Sequence, residues 1–105
     1  MPDFDLWLEF EVWRAAGNSD DPRNDFFNMQ ITLADGRKYA LNVWTFNYFS
    51  QAVAECRESG EHLAGQYLPP PDLFVARMDR ELIERVVQDL IANDGLRDDW
   101  LVLDE

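Results

Sequence analysis

The chain has 105 residues, 47% of them apolar and 13% aromatic, enough for one domain with a core of its own and too apolar for a disordered segment. Acidic residues outnumber basic ones 21 to 9, for a formal net charge of −12. A field of that sign repels nucleic acid and anionic membrane and attracts basic partners within a Debye length of roughly 8 Å at physiological salt.

The charge is concentrated at the two ends of the chain, Met1 to Asp25 and Asp79 to Glu105, and the middle is close to neutral. Net charge of this size also keeps a small domain soluble without any partner. One cysteine, Cys56, excludes an internal disulfide and a thiolate metal cluster, and one histidine, His62, excludes a histidine-rich metal site. The segment Met1-Pro2-Asp3-Phe4-Asp5 has no basic region or apolar stretch of the signal-peptide kind, and no run approaches the ~20 apolar residues of a membrane span. A cytoplasmic protein is the expectation. All basic residues except Lys38 are arginine, which fits a GC-rich bacterial genome.

In chain order, Phe4, Leu6, Leu8, Phe10 and Val12 alternate with Asp5, Trp7, Glu9, Glu11 and Trp13, and this period of two predicts a long first strand. Arg14 to Asn24 is a polar breaker run and reads as a loop. Phe26 to Leu33 and Arg37 to Trp44 read as two strands joined at Asp35-Gly36, a dipeptide suited to tight hairpins in which both central residues take positive φ. Thr45 is placed to cap a helix running to about Ser59, with Phe46, Phe49, Val53 and Cys56 on one stripe and Gly60 as its stop. After Pro69-Pro70-Pro71, Leu73 to Ala76 suits a short edge strand.

Asp79 is placed to cap a last helix whose Leu82, Ile83, Val86, Val87, Leu90 and Ile91 repeat at helical spacing, with Gly95 ending it. On its wet face Arg80 with Glu84, Glu81 with Arg85, and Arg85 with Asp89 are spaced to pair. The tail from Leu96 to Glu105 suits a short strand or a surface segment. The expected fold is α+β over residues 1–105: an antiparallel sheet of three to four strands with two helices packed on one face, in the order β-β-β-α-(β)-α.

Nothing in the chain forms a catalytic constellation, and no cofactor or metal site is expected. Cys56 lies on an apolar stripe, His62 reads as a solvated loop residue, and the run Asp94 to Asp99 lacks the alternating oxygens of a calcium loop. A pocket near Tyr48, His62 and Tyr67 is the remaining route to a small enzyme or ligand binder.

The unusual feature is the outer face of the sheet. If the helices cover the Phe4/Leu6/Leu8 side, the other side presents Trp7, Trp13, Phe26 and Trp44 among Asp5, Glu9, Glu11, Asn28, Gln30, Thr32, Lys38, Ala40 and Asn42. Tryptophans among carboxylates suit a binding hot spot for a basic partner. The tail Trp100 to Leu103, or a second copy of the chain, would cover the same face equally well. As anchors and steering charges the reading names Trp7, Glu9, Glu11, Trp13, Asp20 and Asp21, with Asp98, Asp99 and Trp100 as a second candidate surface.

The segments Leu41-Asn42-Val43-Trp44-Thr45-Phe46, Gly60-Glu61, Pro71-Asp72-Leu73-Phe74-Val75 and Arg80-Glu81-Leu82-Ile83-Glu84 resemble small acidic immunity proteins that bacteria make against their own toxins. The resemblance implies an inhibitor that occludes the active site of a basic toxin or nuclease, and it assigns no binding residue. The competing expectation is a homo-oligomeric structural or adaptor protein, such as a homodimer, built on the tryptophan-rich face.

Overall fold

The computed structural model describes residues 4–17 and 21–102. The elements are β1 (Phe4–Leu8), α1 (Glu9–Ala15), β2 (Phe26–Leu33), β3 (Lys38–Thr45), α2 (Phe46–Ser59), α3 (Glu61–Gly65), β4 (Leu73–Val75) and α4 (Arg80–Ala92), followed by a 3-10 turn, Asp98–Trp100. They form the expected α+β fold around one sheet ordered β1-β2-β3-β4. β1, β2 and β3 pair antiparallel, and β4 joins parallel to β3. The parallel sense follows from the connection: α2 carries the chain back along the sheet, so β4 re-enters in the direction of β3.

The registers Leu6↔Ile31 and Leu8↔Met29, continued by Met29↔Leu41 and Ile31↔Tyr39, put one apolar set on one face. Phe10 of α1 and Ile83 and Val87 of α4 close over that face, and all three are fully buried. The sheet therefore has two helices packed on its apolar side, and one of them is α1.

That helix corrects the long first strand. The chain leaves the sheet at Glu9 and turns helical through Ala15. Alternation could not exclude this, because Glu9 and Glu11 at the polar positions, and Arg14 and Ala15 after them, are themselves good helix formers. In the helix, Phe10 and Trp13 are three apart and share the inward side, while Val12 turns outward and is 51% exposed. Phe10 meets Phe27 edge to face at 4.9 Å, and the Arg14 guanidinium lies 4.6 Å from the Phe10 ring centre. Glu9 and Glu11 occupy the first turn, where the helix dipole favours acids.

Other local expectations resolve one by one. Thr45 caps α2 by accepting the Tyr48 amide at 3.2 Å, and Gly60 stops it in the left-handed conformation, φ +83°. In the hairpin only Gly36 takes positive φ, so the turn is wider than the two-residue type. Asp79 sits at the N-cap of α4 without a side-chain cap bond; its carboxylate lies 3.6 Å from Arg77 instead. Arg80 passes over Glu84 and pairs with Glu11 at 2.7 Å, and it also donates to the Leu6 carbonyl at 3.2 Å. One arginine thus ties the start of α4 to α1 and to the open edge of β1. The left-handed residue beyond α4 is Asp94, with the Gly95 amide reaching back to Leu90 O at 2.7 Å.

α2 stands apart from the core. Of its residues only Cys56 is buried, and the Cα radius of gyration is 15.2 Å, against roughly 13 Å for a compact domain of this length. α3 folds back onto its far end. A Cβ on Gly65 would come within 2.9 Å of Arg57 Cγ and 3.0 Å of Val53 O, so the approach of the two backbones needs glycine. His62, Leu63 and Ala64, with φ between +53° and +56°, make α3 a left-handed turn.

Left-handed backbone costs an L-residue about 1–2 kcal/mol, more than the entropy that glycine loses on folding. Ala64→Gly is therefore expected to raise stability by about 0.5–1 kcal/mol, read as a higher urea midpoint at unchanged slope. In a right-handed turn the same change would lower the midpoint, so the sign alone checks the conformation.

Candidate functional site

The face of the sheet away from the core is built in rows by strand register. Phe26, Trp44 and Phe74 form the first row, at the end where β3 runs into α2. Asn28 and Asn42 form the second, Trp7, Gln30 and Ala40 the third, and Asp5, Thr32 and Lys38 the fourth.

The second row is a continuous polar ladder. Glu9 Oε1 accepts the Asn28 amide N–H at 2.9 Å and its side-chain Nδ2 at 3.3 Å. Asn42 Nδ2 donates to Asn28 Oδ1 at 3.4 Å, and Asp72 Oδ2 accepts the Asn42 amide at 2.8 Å. The two carboxylates satisfy strand donors where β1 has ended and β4 has not begun, which accounts for their place at the edges of the face. The row presents acids at its ends and amides between them, and Trp7, 43% exposed, stands beside it. Such a surface can accept N–H donors from arginine or lysine and pack a flat apolar group on the indole. No family model, no curated protein and no solved structure matches this chain.

The residues named from sequence do not come together in one place. Trp7 and Glu9 belong to the outer face. Glu11 is tied to Arg80, and Trp13 packs partly buried against the core on α1, so neither stands on the sheet. Asp21 Oδ1 accepts the Arg23 amide at 3.0 Å in the loop before β2, and Asp20 lies outside the described residues. Asp98 and Asp99 are exposed on the 3-10 turn, where Asp99 pairs with Arg97 at 2.7 Å.

Trp100 is in the core and 6% exposed, which removes it as a surface anchor. The tail enters the edge of β3 instead of crossing the outer face: Leu101 bridges Tyr39, and the Val102 amide donates to Lys38 O at 2.8 Å.

Sequence reasoning missed Asp72 and Phe74 as parts of this face. Their signal, an Asp following three prolines and preceding an apolar run, is that of any strand entry. Tyr48 and His62 do not share a pocket. Tyr48 lies in the first turn of α2, and His62 lies beyond the other end of that helix, in α3. His62 stacks edge to face with Tyr67 at 5.3 Å, and Tyr48 packs on Phe26 and Trp44 at 5.1 and 5.2 Å. Burial among those rings, with Asp25 and Glu55 nearby, pushes the Tyr48 phenol above the usual tyrosine range. Among the described residues no three His, Cys, Asp or Glu side chains are grouped to hold a metal, and no helix is long and apolar enough to cross a membrane.

Proposed function

We propose that this protein is a non-catalytic binding protein of the immunity or inhibitor kind, acting in the bacterial cytoplasm on a basic protein partner, a toxin or a nuclease. The observation that carries the reading is the open outer face: an exposed Trp7 beside a carboxylate–amide row, in a chain of net charge −12. A partner rich in lysine and arginine would be steered by the overall field and held by Glu9, Asp72 and the indole. It would be neutralised because its own cationic groups are occupied.

The test is affinity capture from the native organism with the tagged protein, followed by titration of the captured protein's own activity. A basic protein retained at low salt and inhibited at one-to-one stoichiometry is the expected result. The variant Trp7→Ala with Glu9→Gln keeps an acceptor for the Asn28 amide and is expected to bind at least tenfold more weakly, about 1.4 kcal/mol or more. A captured protein that binds wild type and variant alike, or that stays fully active when saturated, rules the reading out.

A further inference from the structure

α2 carries an apolar stripe that the single chain leaves open. Helices take most of their stability from packing such a stripe against something else. α3 covers the far half, where Cys56 is buried, but Phe46 is 59% exposed and Phe49 37%. These rings do not stand alone. Phe46 stacks on Phe74 at 6.3 Å, Phe74 meets Phe49 at 5.2 Å, and Phe49 lies 6.5 Å from Trp44. Through Tyr48 the run reaches Phe26, itself 40% exposed. Six aromatic side chains thus form one continuous surface patch, larger than the scattered apolar residues of an ordinary monomer surface.

Charge decides what fits it. Charged residues make up 29% of the chain, yet none occurs from Tyr39 to Ala54 or from Phe26 to Ala34. A basic partner gains nothing from docking on uncharged aromatic surface when acids are abundant elsewhere. A second copy of this chain faces the opposite constraint: with −12 on each molecule, two copies are repelled where acids meet and close best across the surface that carries fewest, with Asp25 and Glu55 at its rim beside Tyr48. We infer that the aromatic patch of Phe26, Trp44, Phe46, Tyr48, Phe49 and Phe74 is a two-fold interface between two copies of this chain. The same patch on each copy meets its mate, as a closed dimer requires. The interface leaves Trp7 and Glu9 outside it, and it stands independently of the proposed partner.

Salt separates the two kinds of association. Screening relieves like-charge repulsion, so the dimer tightens with salt, whereas a complex with a basic protein weakens. Sedimentation of the purified protein alone, at 50 and 500 mM NaCl, is expected to show a concentration-dependent shift from 12.3 kDa to twice that mass, with Kd falling severalfold at the higher salt. Phe46→Glu puts an acid at the first position of α2, where the dipole accommodates it, and is expected to leave a monomer with unchanged circular dichroism. Phe46→Ser removes the ring without adding charge and is expected to weaken the dimer at least tenfold, and Trp7→Ala is expected to leave it intact.

A 12.3 kDa monomer at all concentrations and salts overturns the proposal. So does a dimer that survives both Phe46 substitutions, or one that is lost with Trp7→Ala. The same monomeric result would leave the immunity reading standing, because no partner is present in the experiment.

Discussion

Phe10→Ala is expected to cost about 3–5 kcal/mol, the range for emptying a fully buried phenylalanine site. Phe10 is 0% exposed, meets Phe27 edge to face and carries the Arg14 guanidinium over its ring. Domains of this size hold about 5–15 kcal/mol in all, so the variant is expected to melt on the order of 15 °C lower. Val12→Ala provides the contrast. At 51% exposure it is expected to change stability by less than about 0.5 kcal/mol. In a continuous first strand both residues would face the core, and both truncations would be severe. Equal losses from the two, measured by urea unfolding, would therefore restore the strand and remove α1.

Thr45→Val is expected to be nearly as damaging, although it alters neither size nor shape. Thr45 is the buried polar residue at the junction of β3 and α2, with no exposed surface. Its hydroxyl oxygen accepts the Tyr48 amide at 3.2 Å as the cap of α2, and the Asp25 amide at 3.2 Å from the start of β2. The same hydroxyl donates to Asp25 O at 3.1 Å. Valine leaves the Tyr48 and Asp25 amides without this acceptor, while the Asp25 carbonyl keeps the Thr45 amide at 3.1 Å. Loss of the cap, together with the unsatisfied groups, is expected to cost about 2–4 kcal/mol. Thr45→Ser keeps the oxygen and is expected to retain most of the stability; a serine variant as weak as the valine one would show that the methyl group, and not the hydroxyl, holds the junction. The residue matters beyond stability, because α2 leaves the sheet there and the aromatic patch is assembled around that exit.

The acidity of the chain imposes a division of labour on its surface. Carboxylates at the edges of the outer face serve the sheet and present charge at once: Glu9 and Asp72 each satisfy a strand amide. Other acids are held by arginines, as Glu11 is by Arg80. The uncharged aromatic region lies at one end of this face, so the proposed basic partner and a second copy would approach neighbouring surfaces under opposite salt dependence.

Local chemistry written into the residues accounts for much of this molecule. The β2–β3 pair, the Thr45 cap, the Gly60 stop, the edge position of Leu73–Val75 and the amphipathic α4 follow from alternation, capping chemistry and helical spacing, which act between residues close in the chain. The outer-face rows were legible for the same reason: once β2 and β3 are paired, register sets Asn28 beside Asn42 and Phe26 beside Trp44. Features that depended on distant neighbours were not legible. Phe10 alternates correctly for a strand and becomes helical where its ring packs on Phe27. Arg80 has a glutamate one helical turn away and pairs with Glu11, 69 residues back. Trp100 resembles a surface anchor among acids and is claimed by the core. The stripe of α2 reads as core-facing, yet the core closes over α1 and α4 instead. Periodicity reports which side of an element is apolar, and only the assembled chain determines what, if anything, that side meets.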